Sequence, residues 1–213
     1  MKTVRIPADG YGANCWIIID EESSEYALID PSPSGEAFAD FLIKRGLKKE
    51  NLKYILLTHG HFDHITGADE IRDISGAPLA IHEKDSDFLT NSNKNAYKYF
   101  FREDLVMRPA EIILKDGDVL KLGSLDIKVV STPGHTEGSV CFFVGDNIYT
   151  GDTLFDRSIG RTDLIGGSQA TLEESLRKLI SLESDYNIYP GHGSVSTLYK
   201  QIKFNPYLYG GNL

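Results

Sequence analysis

The sequence predicts an α/β fold in which two β-sheets pack together and helices cover their outer faces. Three observations carry this. Short apolar runs bounded by Asp, Gly, Pro or Ser recur along the chain, as strands do. Segments with apolar residues at helical spacing interrupt them in each half. The order of strands followed by helix is met twice, with no short-period repeat and no low-complexity linker between, so we expect a single domain over 1–213.

Taken in order, CWIIID (15–20), EYALID (25–30) and LKYILLT (52–58) read as strands. Between the second and third, Ser34 precedes Phe38, Phe41 and Leu42 at helical spacing and Gly46 closes the segment, a Ser cap and a Gly stop around one amphipathic helix. A second helix is expected over 66–75, followed by the strand PLAIH (78–82), in which His82 reads as structural. From Lys84 to Met107 we expect one or two helices broken at Asn91-Ser92-Asn93, with Tyr97, Phe100 and Phe101 packing rather than forming a lid. The run 111–132 has the signature of a three-stranded meander, and strands follow at 139–145 and 147–152. Leu172, Leu176, Leu179 and Ile180 define a helix from Ser168 to Leu182, with Thr171 and Glu174 as a capping box. NIYPGHG (187–193) is the last strand and turn, before an aromatic tail, NPYLYGGNL (205–213).

Composition narrows the function. Over 213 residues, 41% apolar and 25% charged content exclude disordered and fibrous classes. A net charge of −9, with no Lys/Arg run longer than two residues, argues against nucleic acid and anionic membrane as partners. No signal-peptide core opens the sequence and no apolar stretch is long enough to span a bilayer, so a cytoplasmic location and a small-molecule substrate are expected. Cys15 and Cys141 cannot make a disulfide framework and read as small buried apolar residues.

The chemistry lies in the histidines. Of six, five fall at the ends of strand-like runs in Gly-rich turns. Thr58-His59-Gly60-His61-Phe62-Asp63-His64 gives His-x-His-x-Asp-His directly after YILLT, a rare pattern in a chain so poor in His. Imidazole and carboxylate suit zinc, iron or manganese. His59 and His61, two apart in an extended turn, can share one metal, while Asp63 and His64 diverge towards another. His135 in TPGHT, Asp152 in TGDT and His192 in YPGHG are the further candidates, each beside small residues that allow close backbone approach.

From GANCWII through THGHFDH, TPGHT, TGDTLF and YPGHG, the chain resembles the metallo-β-lactamase superfamily over nearly its whole length. The resemblance implies an αββα sandwich with a metal site at one edge of two mixed central sheets. It assigns His59, His61 and His135 to one metal, Asp63, His64 and His192 to a second, and Asp152 to the bridge between them. TPGHTEGS, GDTLF, GRTD and YPGHG are most similar to the glyoxalase II-like hydrolases, in a short form without their C-terminal helical domain. Arg161 aligns with a basic position facing the substrate, where it could hold a carboxylate.

The implied activity is hydrolysis of an acyl thioester such as S-D-lactoylglutathione, or of a related ester or lactone. Two divalent metal ions, zinc first with iron or manganese as alternatives, would activate a shared water. Asp63 would orient that nucleophile, and Asp30 in LIDPS would hydrogen-bond a ligand histidine. The rival is a persulfide dioxygenase of the same superfamily, with one iron on His59, His135 and Asp152. Gly191 favours the hydrolases and Thr66-Gly67 the dioxygenases. A Cys is expected at Asp152 in the best-known class B β-lactamases, which argues against antibiotic hydrolysis.

Overall fold

The computed structural model describes residues 1–7 and 12–208; positions 8–11 and the last part of the aromatic tail, 209–213, lie outside the described residues. The first sheet holds β1 (Lys2–Ile6), β2 (Cys15–Ile19), β3 (Tyr26–Ile29), β4 (Leu52–Leu56), β5 (Leu79–His82) and β6 (Ile112–Leu114) in sequential order. Strands β1 to β3 are antiparallel and β3 to β6 parallel. The second contains β7 (Val119–Leu122), β8 (Leu125–Ser131), β9 (Val140–Val144) and β10 (Asn147–Gly151) as antiparallel neighbours. After a small ribbon of β11 (Leu154–Phe155) and β12 (Ser158–Ile159), β13 (Asn187–Pro190) joins β10 in parallel and β14 (Ser196–Thr197) closes the edge.

Parallel neighbours need crossovers, and the helices supply them. In the first sheet these are α1 (Gly35–Arg45), α2 (Phe62–Ile65), α3 (Ala68–Ser75) and α4 (Tyr97–Phe101). In the second, α5 (Gln169–Ile180) returns the chain to β13, and α6 (Leu198–Phe204) follows β14. Ser34 accepts the Ala37 N–H and Gly46 takes φ 65° at the end of α1, as the sequence predicts.

Strand alternation sorts the apolar residues into three buried clusters. On β2, Ile17 faces outward with Leu28, Ile55, Phe38 and Ile71, whereas Trp16 and Ile18 face inward with Phe142, Val129 and Tyr149. Leu172, Leu176 and Leu179 of α5 cover Cys141, Ile148 and Ile188 on the far side of the second sheet. Helix, sheet, sheet and helix are therefore stacked, the expected αββα sandwich. Cys15 and Cys141 are buried, free and in different clusters.

Several elements differ from expectation. The run 111–132 is not one meander: β6 pairs with β5 in the first sheet, and only β7 and β8 form a hairpin in the second. A turn at Gly117, φ 86°, carries the chain from one sheet to the other. Helix α5 is capped by Ser168, whose hydroxyl accepts the Thr171 N–H, so Thr171 is inside the first turn and the Thr171/Glu174 box does not form. The sequence reading passed over β1, an edge strand with one buried residue, and α6. Residues of α4 pack on one another at the surface, and none is buried.

Candidate metal centre

The loops leaving β4, β8, β10 and β13 converge at one edge of the sandwich and bring all seven candidate ligands together. Donor atoms of His59, His61 and His135 lie within 4.8 Å of one another, as do those of Asp63, His64 and His192. Asp152 stands between the two groups. Its Oδ2 is 3.6 Å from both His135 Nε2 and His192 Nε2, and its Oδ1 is 3.3 Å from His64 Nε2. Asp63 Oδ2 lies 3.1 Å from His192 Nε2.

These side chains fit divalent metals. His59 Nε2, His64 Nε2 and Asp152 Oδ1 are buried and have no hydrogen-bond partner among the described residues, although buried polar atoms normally have one. Burial and the neighbouring His135 push the His61 pKa down to about 3, and burial with His64 and His135 nearby sends His59 well below its usual value. Both rings are then neutral and open to metal. Asp152 is held well below the usual carboxylate range by His64 and His135 against the opposing effect of its burial. Burial alone would lower His64, but Asp30, Asp152 and Asp63 raise it well above its ordinary value.

A second ring of contacts sets the orientation of these groups. Asp30 accepts the Thr58 N–H at 2.8 Å and the Thr58 hydroxyl at 2.8 Å, which leaves that hydroxyl to accept from His59 Nδ1 at 3.1 Å. The same carboxylate is 2.9 Å from His64 Nδ1, off the line of a ring N–H bond but close enough for strong attraction. His135 Nδ1 donates to the Arg161 carbonyl at 2.7 Å, so its Nε2 faces the cluster. The segment before β2 braces the His192 turn: Asn14 Nδ2 donates to Pro190 O and Gly193 O, and Trp16 Nε1 to Pro190 O, each at 3.0 Å.

Asp85 is the residue sequence reasoning missed. Fully buried, it accepts the Gly60 N–H at 3.0 Å, the Thr136 hydroxyl at 2.7 Å and the Gly138 N–H at 2.8 Å. It thus ties the turn of His59 and His61 to the turn of His135. No local motif marks it.

Two glycines are required by close approach. A Cβ at Gly191 would sit 2.3 Å from Asp152 Oδ1 and 2.7 Å from His64 Cε1, so only Gly leaves both side chains where they are. A Cβ at Gly67 would sit 1.8 Å from Pro33 O, and Thr66 donates to Ser32 O. The Thr66-Gly67 pair is thereby explained by packing on the 31–33 turn.

A cavity of about 340 Å³ opens beside the cluster, lined by His61, Asp63, His135, Asp152 and His192 together with apolar side chains and Arg161. Arg161 reaches this cavity, but its guanidinium forks onto Asp163, with Nε to Oδ1 at 2.6 Å and Nη2 to Oδ2 at 2.7 Å. A substrate carboxylate would have to displace Asp163. Phe100 also lines the cavity, so part of α4 faces the site and not only its own neighbours. His82 stays apart, its Nε2 3.3 Å from Ser131 Oγ. A larger cleft of about 430 Å³, bordered by Lys2, Phe41 and Arg45, contains no histidine.

An αββα sandwich with a His- and Asp-rich centre at one sheet edge places the protein in the metallo-hydrolase fold class. The family model of the metallo-beta-lactamase superfamily matches residues 8–192, and the chain belongs to that superfamily. It is 33% identical to hydroxyacylglutathione hydrolase GloC of Haemophilus influenzae over 95% of this chain and 96% of that protein. Among solved structures, BLEG-1, described as a B3 metallo-beta-lactamase, is 31% identical with a TM-score of 0.91, covering 98% of this chain and 100% of its own. TTHA1623, described in a di-iron-bound form, is 29% identical with a TM-score of 0.81 over 96% of this chain and 100% of its own.

Proposed function

We propose that this protein is a dinuclear hydrolase of acyl thioesters or related esters, of the glyoxalase II type, working as a single domain over 1–213 in the cytoplasm. The observation that carries the reading is the position of Asp152 between two complete three-residue groups. His59, His61 and His135 would hold one ion, Asp63, His64 and His192 the other, and Asp152 both. Zinc is the first expectation, with iron or manganese compatible with the same donors. Bound metal supplies a water made nucleophilic near neutral pH and a Lewis acid for the carbonyl.

The chain's own residues do the rest. Asp63, with its carboxylate held ionised by His64 and His192 against the effect of burial, accepts a hydrogen bond from the attacking water and orients it. Asp30 and Asp85 keep the histidines in place so that no reorganisation is needed as charge develops. GloC, whose name describes hydrolysis of a hydroxyacylglutathione, supports the thioester class.

The dioxygenase alternative uses only His59, His135 and Asp152, and leaves His61, Asp63, His64 and His192 assembled with nothing to hold. Gly191 leaves room for one of those residues, His64, as well as for Asp152, which both readings use. The absence of Cys at position 152 does not exclude β-lactam hydrolysis of the kind in BLEG-1's description, so a β-lactam belongs in the assay. The test is turnover of S-D-lactoylglutathione and of a cephalosporin, with oxygen uptake on glutathione persulfide measured on the same protein. Thioester turnover without oxygen uptake supports the proposal. Oxygen uptake without thioester turnover overturns it.

A further inference from the structure

On the basis of that hydrolase reading, and choosing within it a related acyl thioester or ester over a glutathione thioester, we propose that the substrate's arms are uncharged and that an aromatic or branched apolar group of it seats against Phe62, Phe100 and Phe155. Apart from the candidate ligands and Arg161, the described residues of the cavity wall are Phe62, Ala96, Phe100, Phe155, Ile159 and Leu164. The Phe62 ring is 5.6 Å from Phe100 and 5.4 Å from Phe101, centroid to centroid, and Phe155 is 6.1 Å from His192. Phenylalanine rings thus line the cavity both at Phe62 and Phe100 and beside the candidate ligand His192.

Core packing accounts for Ala96, which is buried, and for Ile159, which packs on the cluster under α5, but Phe62, Phe100 and Phe155 belong to none of the three clusters. Helix α4 buries none of its residues, and Phe100 and Phe101 are 48% and 42% exposed beside Tyr99 at 72%. Apolar side chains left at a cavity rim mark a surface that is covered when a ligand binds. Charge points the same way. Among the described lining residues Arg161 is the one Lys or Arg, and two of its donors are already on Asp163. Lys94 and Lys98 nearby in sequence are engaged by Asp87 and Asp104. A glutathione thioester brings two carboxylates and an ammonium, and desolvating these against phenylalanine is unfavourable without fixed partners. A cavity of about 340 Å³ also lies at the small end for ligand sites.

A matched pair of thioesters tests this, because S-benzyl thioacetate and S-acetylglutathione share the acyl group and differ only in the thiol arm. The metal-loaded protein is expected to show kcat/KM for the benzyl compound higher by about tenfold or more, the scale set by burying a phenyl ring. In Phe100→Ala that preference is expected to shrink several-fold, while Arg161→Ala changes both substrates equally. Calorimetric titration with phenylmethanethiol and with glutathione reads the same preference without turnover. If neither thioester is cleaved but phenylmethanethiol binds more tightly and loses affinity in Phe100→Ala, the reaction class falls and the apolar seat stands. Preference for the glutathione compound, equal binding of the two thiols, or indifference to Phe100→Ala overturns the proposal.

Discussion

Asp30 Oδ2 stands 2.9 Å from His64 Nδ1, with the two side chains 1% and 0% exposed. The same carboxylate reaches His59 through Thr58. One residue at the end of β3, in the left-handed region at φ 53°, thus controls a histidine in each of the two three-residue groups. Backbone strain of that kind is kept where the surroundings require it.

Asp30→Ala should remove that control and leave His64 buried without its nearest carboxylate. Breaking one side of a buried charged pair costs about 3–5 kcal/mol. We expect a loss on that scale in urea unfolding of the metal-free protein, and weaker retention of metal by the loaded one. Unchanged stability and metal content would remove Asp30 from the account.

Gly191→Ala separates a two-metal from a one-metal centre. The added Cβ crowds Asp152 Oδ1 and His64 Cε1 and leaves the group of His59, His61 and His135 clear. The expected result is loss of about one metal ion per chain by mass spectrometry, with a fall in thioester turnover of about a hundredfold, the upper range for disturbed ligand positioning.

Asp85→Ala leaves the Gly60 and Gly138 N–H groups without their acceptor, at about 1–3 kcal/mol for each buried group left unsatisfied, and leaves the Thr136 hydroxyl with Ser139 Oγ at 2.8 Å. Because these groups flank His59, His61 and His135 only, metal titration should show weakened affinity at one of two sites, by about 10–100-fold. Equal weakening at both would show a general loss of structure instead.

Acid should weaken the metal-free fold through its buried neutral histidines. The His61 pKa is about 3 in the folded chain, pushed down by burial and by His135, against about 6.5 when unfolded. Unfolding therefore takes up a proton below about pH 6.5, so this contribution is full above that pH and is lost as pH falls towards 3. His64, raised in the folded state, is charged in both states through that window and does not oppose the trend. Thermal melts of metal-free protein should drop between pH 6.5 and 5, and His61→Asn should flatten the slope. A flat wild-type profile would contradict the assignment.

What the sequence made legible was local. The ligand candidates lie in short turns directly after apolar runs, and scarce histidines at fixed spacing stand out from a background of ordinary turns. The order of strands and helices made two packed sheets with outer helices legible, whereas the continuous apolar run at 15–19 did not show that Ile17 faces the outer cluster and Trp16 and Ile18 the inner one. Contacts between distant segments were not legible. Asp85 meets its partners across 25, 51 and 53 residues and resembles any other turn Asp. The destination of the 111–114 strand depended on which sheet had a free edge, a global property. Asp163 was visible two positions from Arg161, yet spacing alone does not say whether a guanidinium turns to its neighbour or to a ligand.

The most direct test of the central claim is metal stoichiometry by mass spectrometry on wild type and Asp152→Ala, prepared identically and assayed for thioester hydrolysis. With Asp152 shared between both groups, wild type should hold about two metal ions per chain, and Asp152→Ala should lose metal and essentially all turnover. One metal per chain in the active wild type, or a folded Asp152→Ala with undiminished metal and activity, would contradict it.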